Sequence, residues 1–203
     1  MSKVSTQDME TEFEAKFLNS DKDVMRAKLL EAGALLVRPE FIQRRVTLGL
    51  PGEEGVGHTW LRVRDEGDKI TMSIKSMTED SGISRQKELT LIVDNFDTAV
   101  NLLYLLGCKK QGYWETRREL WHYRDTEITI DEWPFLEPFI EIEGRSEEAV
   151  RAASEELGFD YALALFCAVG HVYFLKYGVK LDEVYATIRD ITFEMENPFL
   201  KSK

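Results

Sequence analysis

Pairs of like charges, spaced two residues apart, recur in the strand-like parts of this sequence. The carboxylate pairs are Glu12 with Glu14 and Glu141 with Glu143, and the guanidinium pair is Arg62 with Arg64. Because alternate side chains of a strand share a face, each pair holds two like charges about 7 Å apart, which is unfavourable unless a counter-ion binds. Paired carboxylates suit a divalent metal ion, and paired guanidinium groups suit phosphate oxygens. A complex of a metal ion with a polyphosphate would satisfy both kinds of pair.

The simpler interpretation is that these charged faces are the solvated outside of a sheet, which is the usual arrangement for any single strand. Two features of the whole set favour a shared interior. Carboxylates occur at both ends of the strand-rich region, whereas Arg and Lys dominate its middle strands. A surface built for solubility usually intersperses both signs, and it avoids like charges side by side.

Strands must carry most of these residues, because apolar and polar residues alternate with period two before Gly144. The predicted strands are Thr11–Leu18, Phe41–Leu48, Thr59–Asp65, Lys69–Ser76, Arg85–Val93, Gln111–Leu120, Glu127–Asp131 and Pro138–Glu143. They predict an α+β protein, in which about eight antiparallel strands form a barrel with helices outside.

The helices are indicated by N-cap residues at their starts and glycines at their ends. Three are predicted from Ser20 or Asp21 to Gly33, from Asp94 or Asn95 to Gly107, and from Ser146 to Gly158. A fourth is expected from Asp160 to about Tyr177, and a short fifth near Leu181–Asp190. The amphipathic pattern of these segments predicts that they cover the apolar faces of the strands.

The composition limits the partners that the protein can bind. The 203 residues carry 26 Lys and Arg against 37 Asp and Glu, a net charge of −11. Such a chain does not grip a nucleic-acid backbone or an anionic membrane surface by general electrostatics. Residues 126–160 alone contain 11 acidic residues against 2 basic ones, so the acidity is concentrated in one segment. A small polyanion that binds in a cationic interior therefore remains compatible with the net charge.

Cysteine usage and apolar stretches indicate a cytoplasmic protein. Cys108 and Cys167 are far apart and form no CxxC pair, which disfavours a disulfide scaffold and a structural zinc site. The segment Met1–Glu14 has no apolar core typical of a signal peptide, and Tyr161–Leu175 is short for a membrane span. Neither a membrane nor a nucleic acid is an expected partner.

One motif resembles a family signature. Glu12-Phe13-Glu14-Ala15-Lys16 reads as the ExExK motif of the CYTH domain, the triphosphate tunnel metalloenzymes, which include class IV adenylyl cyclases and thiamine triphosphatase-like proteins. The family's other charged positions follow in order as Leu61-Arg62-Val63-Arg64, Lys75, Glu115-Thr116-Arg117-Arg118, Asp131 and Glu141-Ile142-Glu143. The resemblance implies a CYTH domain over residues 9–177, followed by a C-terminal helical extension and tail over residues 178–203. It also implies an eight-stranded antiparallel β-barrel that is open as a tunnel, with a charged lumen and helices packed outside.

The resemblance also implies roles for individual residues. Those expected to bind a divalent metal ion, Mg²⁺ or Mn²⁺, are Glu12, Glu14, Glu141 and Glu143. Those expected to bind the substrate phosphates are Lys16, Arg62, Arg64, Lys75 and Arg118. Those expected to take part in catalysis are Lys16, Glu14 and Asp131. Lys16 would either hold the terminal phosphate or position the attacking water, and Asp131 would be a neighbour of a ligand or an orienting group.

One position departs from the family pattern. Thr116 stands where the family often has a lysine, so one cationic contact is missing from the inner face that carries Arg118. Arg44 or Arg45 on the second strand is a candidate to compensate for it. Glu88 is expected to face the lumen and hold a cationic side chain in place.

Three functions stay open at this stage. The favoured one is metal-dependent hydrolysis of tripolyphosphate, or of a small organic triphosphate such as ATP or thiamine triphosphate. The second is class IV adenylyl cyclase activity, which converts ATP to cyclic AMP and pyrophosphate. The third is a module that binds polyphosphate or nucleotide without turnover, although a complete metal set argues against it. A homodimer and a monomer are equally compatible with the sequence.

Overall fold

The computed structural model describes residues 9–52, 58–79, 82–180, 183–184 and 188–200. Its strands are β1 (Glu10–Phe17), β2 (Leu35–Gly49), β3 (Thr59–Asp65), β4 (Ile70–Met77), β5 (Gln86–Val93), β6 (Lys109–Tyr123), β7 (Thr126–Glu132), β8 (Phe139–Gly144) and β9 (Asp190–Ile191). Its α-helices are α1 (Lys22–Glu31), α2 (Phe96–Leu105), α3 (Glu147–Glu156) and α4 (Val169–Tyr177). Short 3-10 turns occupy Ile83–Arg85 and Tyr161–Leu163.

The strands form a closed antiparallel barrel. Their order is β2-β3-β4-β5-β1-β8-β7-β6, and a further pairing of β2 with β6 closes the ring. The short β9 adds to β6 as a parallel edge. The predicted α+β barrel with eight antiparallel strands and helices outside is therefore confirmed. β2 begins at Leu35 rather than at Phe41, because its first half pairs across register shifts with the last residues of β6.

The first three helices begin as the sequence predicts. Asp21 caps α1 by accepting hydrogen bonds from two backbone N–H groups, and Asn95 and Ser146 each cap their helix with one. Glycines with positive φ follow these three helices at positions 33, 107 and 158.

Apolar side chains of the barrel point outward and pack under these helices. One core lies between α1, α3 and the strands β1, β7 and β8, where Ile128 and Ile142 are fully buried. A second core lies between α2 and the outer faces of β2 and β3, where Leu48 and Val63 are fully buried. Each such side chain contributes about 1.5–3 kcal/mol of transfer free energy. Because the outer faces are used for packing, the charged faces are turned into the lumen.

The chain after α3 covers one end of the barrel. The single helix predicted from Asp160 to Tyr177 is wrong, because an extended stretch separates the 3-10 turn from α4. In that stretch Leu165 exchanges two backbone hydrogen bonds of 3.0 Å with Lys16, which continues the pairing of β1. Residues of α4 then pack on a third apolar cluster, whose other members include Trp114, Trp133 and Phe199.

The end of the chain is only partly described. The predicted short helix near Leu181–Asp190 falls largely outside the described residues. The last described segment returns to the barrel, where Ile191 and Phe199 are buried. No helix in the described ranges is long and apolar enough to cross a membrane.

Candidate active site in the barrel lumen

The inward faces of the strands line a cavity of about 360 Å³. Nine of the ten predicted site residues line it, namely Glu12, Glu14, Lys16, Arg62, Arg64, Lys75, Arg118, Glu141 and Glu143. The tenth, Asp131, is fully buried and is held by Arg118. Alternation along the strands thus brings together side chains from β1, β3, β4, β6 and β8. The residues Ala168, Val169 and Gly170 at the start of α4 add an uncharged lining.

A row of three carboxylates crosses β1, β8 and β7. The register places Glu14 opposite Glu143, and Glu143 opposite Glu127. Like charges directly opposite each other repel, so this row of carboxylates is destabilised unless a cation binds to it. None of the described cationic side chains forms an ion pair with Glu143. Burial, followed by the charges of Glu12 and Glu127, raises the pKa of Glu143 to about 7.

Three of the four predicted metal ligands, Glu12, Glu14 and Glu141, are paired with lysine or arginine. Glu12 accepts hydrogen bonds of 2.9 and 2.8 Å from Lys75 Nζ. Glu141 lies 3.1 Å from Lys16 Nζ and 2.7 Å from an Nη of Arg118. Among the described residues, no three His, Cys, Asp or Glu side chains are arranged to hold a metal ion in this state. In chemistry the set still fits a hard divalent cation, because every donor is a carboxylate and the row around Glu143 has an excess of charge.

The basic side of the lumen is built from β3 and β4. Arg62 pairs with Glu88 at 2.8 Å, as predicted for Glu88, and Lys75 lies 3.1 Å from the same carboxylate. Arg64 pairs with Glu66 at 2.8 Å. The Nε atoms of Arg62 and Arg64 are buried, and neither has a hydrogen-bond partner within the described part of the chain. Each is therefore an N–H donor in need of an acceptor.

Burial and repulsion among the basic groups destabilise the charged forms of Arg64 and Lys75 on this side. Burial, followed by the neighbouring Arg62, lowers the pKa of Arg64 to about 10. The same two causes, in the same order, lower the pKa of Lys75, against the opposing effect of its carboxylate partners Glu12 and Glu88. A group whose charged form is destabilised in this way gains from a bound anion.

Arg118 is held in place by two carboxylates, Asp131 and Glu141. Its Nε donates to Asp131 at 2.7 Å, and one Nη contacts the second oxygen of the same carboxylate. Burial alone would lower the pKa of Arg118, but the charges of Asp131 and Glu141 outweigh it and raise the pKa above its usual value. This geometry is typical of a carboxylate that orients a guanidinium group. Lys16 lies between Glu14, which it contacts, and Glu141.

Arg44 and Arg45, the two candidates to replace the missing cation of β6, point to opposite faces of β2. Arg45 faces the lumen and is buried, whereas Arg44 points outward to pair with Asp65 at 2.9 Å. Glu127 was not predicted from the sequence as a lumen residue, although alternation along β7 puts it on the same inner face as Thr129 and Asp131.

Several uncharged residues of the lumen were also not predicted as site residues from the sequence. They are Gln43 and Thr47 on β2, and the aromatic residues Trp60, Trp114 and Trp133. Alternation with Arg45 and Arg62 would have placed Gln43, Thr47 and Trp60. Trp133 follows β7 in the chain, so no strand pattern indicated it.

A closed antiparallel barrel whose lumen carries opposed acidic and basic groups, with helices packed on apolar outer faces, defines a tunnel-type barrel protein. The model of the CYTH domain family matches residues 10–166. The chain belongs to this family, as the ExExK motif predicts. No curated protein matches the sequence.

Solved structures share this fold. The chain is similar to the PH1819 protein from Pyrococcus horikoshii OT3, with 23% identity and a TM-score of 0.66 over 81% of this chain and 99% of that one. It is similar to a candidate adenylate cyclase from Vibrio parahaemolyticus, with 12% identity and a TM-score of 0.69 over 81% and 98% of the two chains. It is also similar to a candidate adenylyl cyclase from Hippeastrum, reported to have a dominant triphosphatase activity, with 14% identity and a TM-score of 0.55 over 86% and 99%. At these identities the similarity establishes the fold alone.

Proposed function

We propose that this protein is a divalent-metal-dependent triphosphatase that hydrolyses a small triphosphate inside the barrel. The observation that carries the proposal is the opposition of charges across one cavity. Arg62 and Arg64, whose Nε atoms have no hydrogen-bond partner among the described residues, line the lumen that also contains Glu143, which no described cation pairs. A phosphate chain would satisfy the first group, and the metal ion that accompanies it would satisfy the second.

The lumen residues are proposed to have two roles in phosphoryl transfer, phosphate binding and metal binding. Those proposed to bind the phosphate oxygens and hold the chain in line are Lys16, Arg62, Arg64, Lys75 and Arg118. Those proposed to hold Mg²⁺ or Mn²⁺, which when bound draws charge from the phosphate oxygens, are Glu12, Glu14, Glu141 and Glu143. Water attacks the terminal phosphorus, the bond to the bridging oxygen breaks, and tripolyphosphate yields orthophosphate and pyrophosphate. Such chemistry requires little from a protein beyond positioning and charge stabilisation.

The ion pairs of the lumen link anion binding to metal binding. Lys16 contacts Glu14, and Lys75 binds Glu12, so two lysines of the phosphate set hold two carboxylates of the metal set. If phosphate oxygens replaced these carboxylates as partners of the lysines, Glu12 and Glu14 would be free to hold a divalent metal ion. A divalent metal ion is therefore expected to strengthen the binding of the substrate, which can also bind without it. Asp131 stays with Arg118 throughout and acts as a positioning residue.

An uncharged part of the cavity supports a second candidate function. His58, Trp60 and Met77 line the same cavity as the charged groups. They provide a surface for an organic group attached to a triphosphate, which makes ATP and thiamine triphosphate candidate substrates beside tripolyphosphate. With ATP, the alternative activity is that of a class IV adenylyl cyclase.

One experiment separates the candidates. Purified protein is incubated with tripolyphosphate, ATP or thiamine triphosphate, with Mg²⁺, Mn²⁺ or EDTA, and the products are resolved by chromatography. Metal-dependent release of orthophosphate is the expected result. Cyclic AMP with pyrophosphate would instead identify the cyclase. Tight binding without any product would identify a binding module, and release that persists in EDTA would contradict the metal dependence.

A further inference from the structure

Arg45 is a buried cation that the proposed phosphate set does not include. It lies on the inner face of β2, opposite Arg64 on β3 and Trp114 on β6. Only 6% of its surface is exposed, and it lines the same cavity as Arg62, Arg64 and Arg118. A guanidinium group cannot escape the cost of burial by losing its proton, so it needs a partner.

The groups that contact the guanidinium group of Arg45 directly are neutral. One Nη donates to Gln43 Oε1 at 2.9 Å and to Thr116 Oγ1 at 2.5 Å, and the guanidinium group lies 4.4 Å from the ring centre of Trp133. Its Nε has no hydrogen-bond partner, and no described carboxylate forms an ion pair with it. Within the described residues, the charge of Arg45 is therefore held in place without being neutralised.

The surrounding charges make this arrangement costly. Burial, then the charges of Arg64, Arg62 and Arg118, lower the pKa of Arg45 well below its ordinary value, and the charge of Asp131 opposes this only in part. The contact with Trp133 offsets only part of that cost, because a cation–π contact contributes far less than the desolvation of a buried charge. An uncompensated buried cation of this kind is strong evidence of a ligand, since folding alone would favour a neutral side chain here.

We propose that Arg45 is an inner anion-binding group of the lumen, whose guanidinium binds the oxygens of a tetrahedral oxyanion together with Arg64 and Arg118. The proposal rests on the proposed function, because the oxyanion would be one phosphate group of the triphosphate. It also accounts for Thr116. The small hydroxyl leaves room for the Arg45 side chain and accepts its hydrogen bond, so a cation from β2 occupies the space that a long basic side chain on β6 would fill.

The test uses metal-free protein, so that binding is measured without hydrolysis. Tripolyphosphate and inorganic sulfate are the probes, in EDTA, by isothermal titration calorimetry and by the rise in Tm. Arg45→Gln is compared with Arg44→Gln, a matched substitution of the adjacent arginine that points outward. For Arg45→Gln we expect tripolyphosphate to bind roughly 10- to 100-fold more weakly, as for the loss of one or two charge-assisted hydrogen bonds. The Tm without anion is expected to be equal or higher, and Arg44→Gln is expected to bind as the wild type does.

The outcomes separate this proposal from the proposed function. Unchanged affinity in Arg45→Gln, or a lower Tm without any change in affinity, would assign Arg45 a structural role and overturn the subsite. Wild-type protein that binds tripolyphosphate through Arg45 but releases no orthophosphate with Mg²⁺ or Mn²⁺ would support the subsite and overturn the triphosphatase. Binding of neither probe by the wild type would overturn the subsite. If Arg45→Gln does not fold, Arg45→Lys replaces it, with weaker binding in support and wild-type binding against.

Discussion

Glu143 has a pKa raised to about 7, and its ionised form carries a negative charge that no described cation pairs. In Glu143→Gln that charge is removed while the shape is kept, so repulsion from Glu12 and Glu127 is relieved. We expect kcat/KM for tripolyphosphate with Mn²⁺ to fall about 100-fold or more, because several kcal/mol of transition-state stabilisation depend on the metal site. The Tm in EDTA should be unchanged or higher.

The control for Glu143→Gln is Glu137→Gln, an exposed carboxylate that binds Lys176. Its activity and Tm should match the wild type within error. Near-normal activity in Glu143→Gln would show that the carboxylate row does not serve the reaction.

We propose that Asp131 acts through Arg118, which it contacts, rather than on the substrate. In Asp131→Asn the ion pair between Arg118 and the fully buried Asp131 loses its negative charge, and the guanidinium keeps only Glu141 as an anionic partner. We expect a loss of about 3 kcal/mol of unfolding free energy by urea denaturation, since breaking a buried pair leaves an uncompensated charge. Substrate affinity should fall because the orientation of Arg118 relaxes, so KM should rise more than kcat falls.

Glu132→Gln on the same strand provides the comparison for Asp131→Asn. Glu132 faces outward and pairs with Lys22 and Arg117, so its loss should cost no more than about 1 kcal/mol and leave KM unchanged. A kcat decrease in Asp131→Asn at constant KM would argue for direct participation of Asp131 in the reaction.

At the scale of elements, what the sequence predicts depends on how local the determining contacts are. The helix caps at Asp21, Asn95 and Ser146 are local, and alternation is local too, so the strands and their charged faces could be predicted. Alternation also decides which of Arg44 and Arg45 faces the lumen, because Arg44 shares a face with Val46 and Leu48, which pack under α2. The stretch around Leu165 reads as part of an apolar helix, yet it is extended, because it completes the pairing of β1 at Lys16.

The element that closes the end of the barrel depends on Tyr173. This residue is fully buried in α4, stacks on Phe199 at 4.9 Å, and donates a hydrogen bond of 2.8 Å to the carbonyl of Pro134. Tyr173→Ala leaves a cavity and should lower the unfolding free energy by about 3–5 kcal/mol. Tyr173→Phe keeps the ring and should cost only about 1 kcal/mol. Urea denaturation of both variants measures the difference, and equal costs would mean that packing of α4 does not stabilise the barrel end.

At the scale of the whole molecule, the fold separates two populations of charge. The six described Lys and Arg residues that line the lumen are matched there by six Glu residues, whereas further acidic residues such as Glu148, Glu155 and Glu156 of α3 are exposed. The net charge of −11 therefore acts mainly on a large partner, which can approach only the exterior. A ligand small enough to enter the lumen experiences a different electrostatic potential.

This separation predicts a discrimination by size between polyanions. Metal-free protein should bind tripolyphosphate, and the affinity should fall as NaCl is raised, because the lumen opens to solvent and its charges are screened in part. Duplex DNA, added so that its phosphate groups outnumber tripolyphosphate, should displace no bound tripolyphosphate. The duplex is too wide for a cavity of about 360 Å³, and the acidic exterior repels it. Competition is measured by calorimetric titration of tripolyphosphate with and without the duplex. Displacement by the duplex would mean that the cations are reached from outside the barrel, since a polymer that cannot enter the lumen can compete only at its surface.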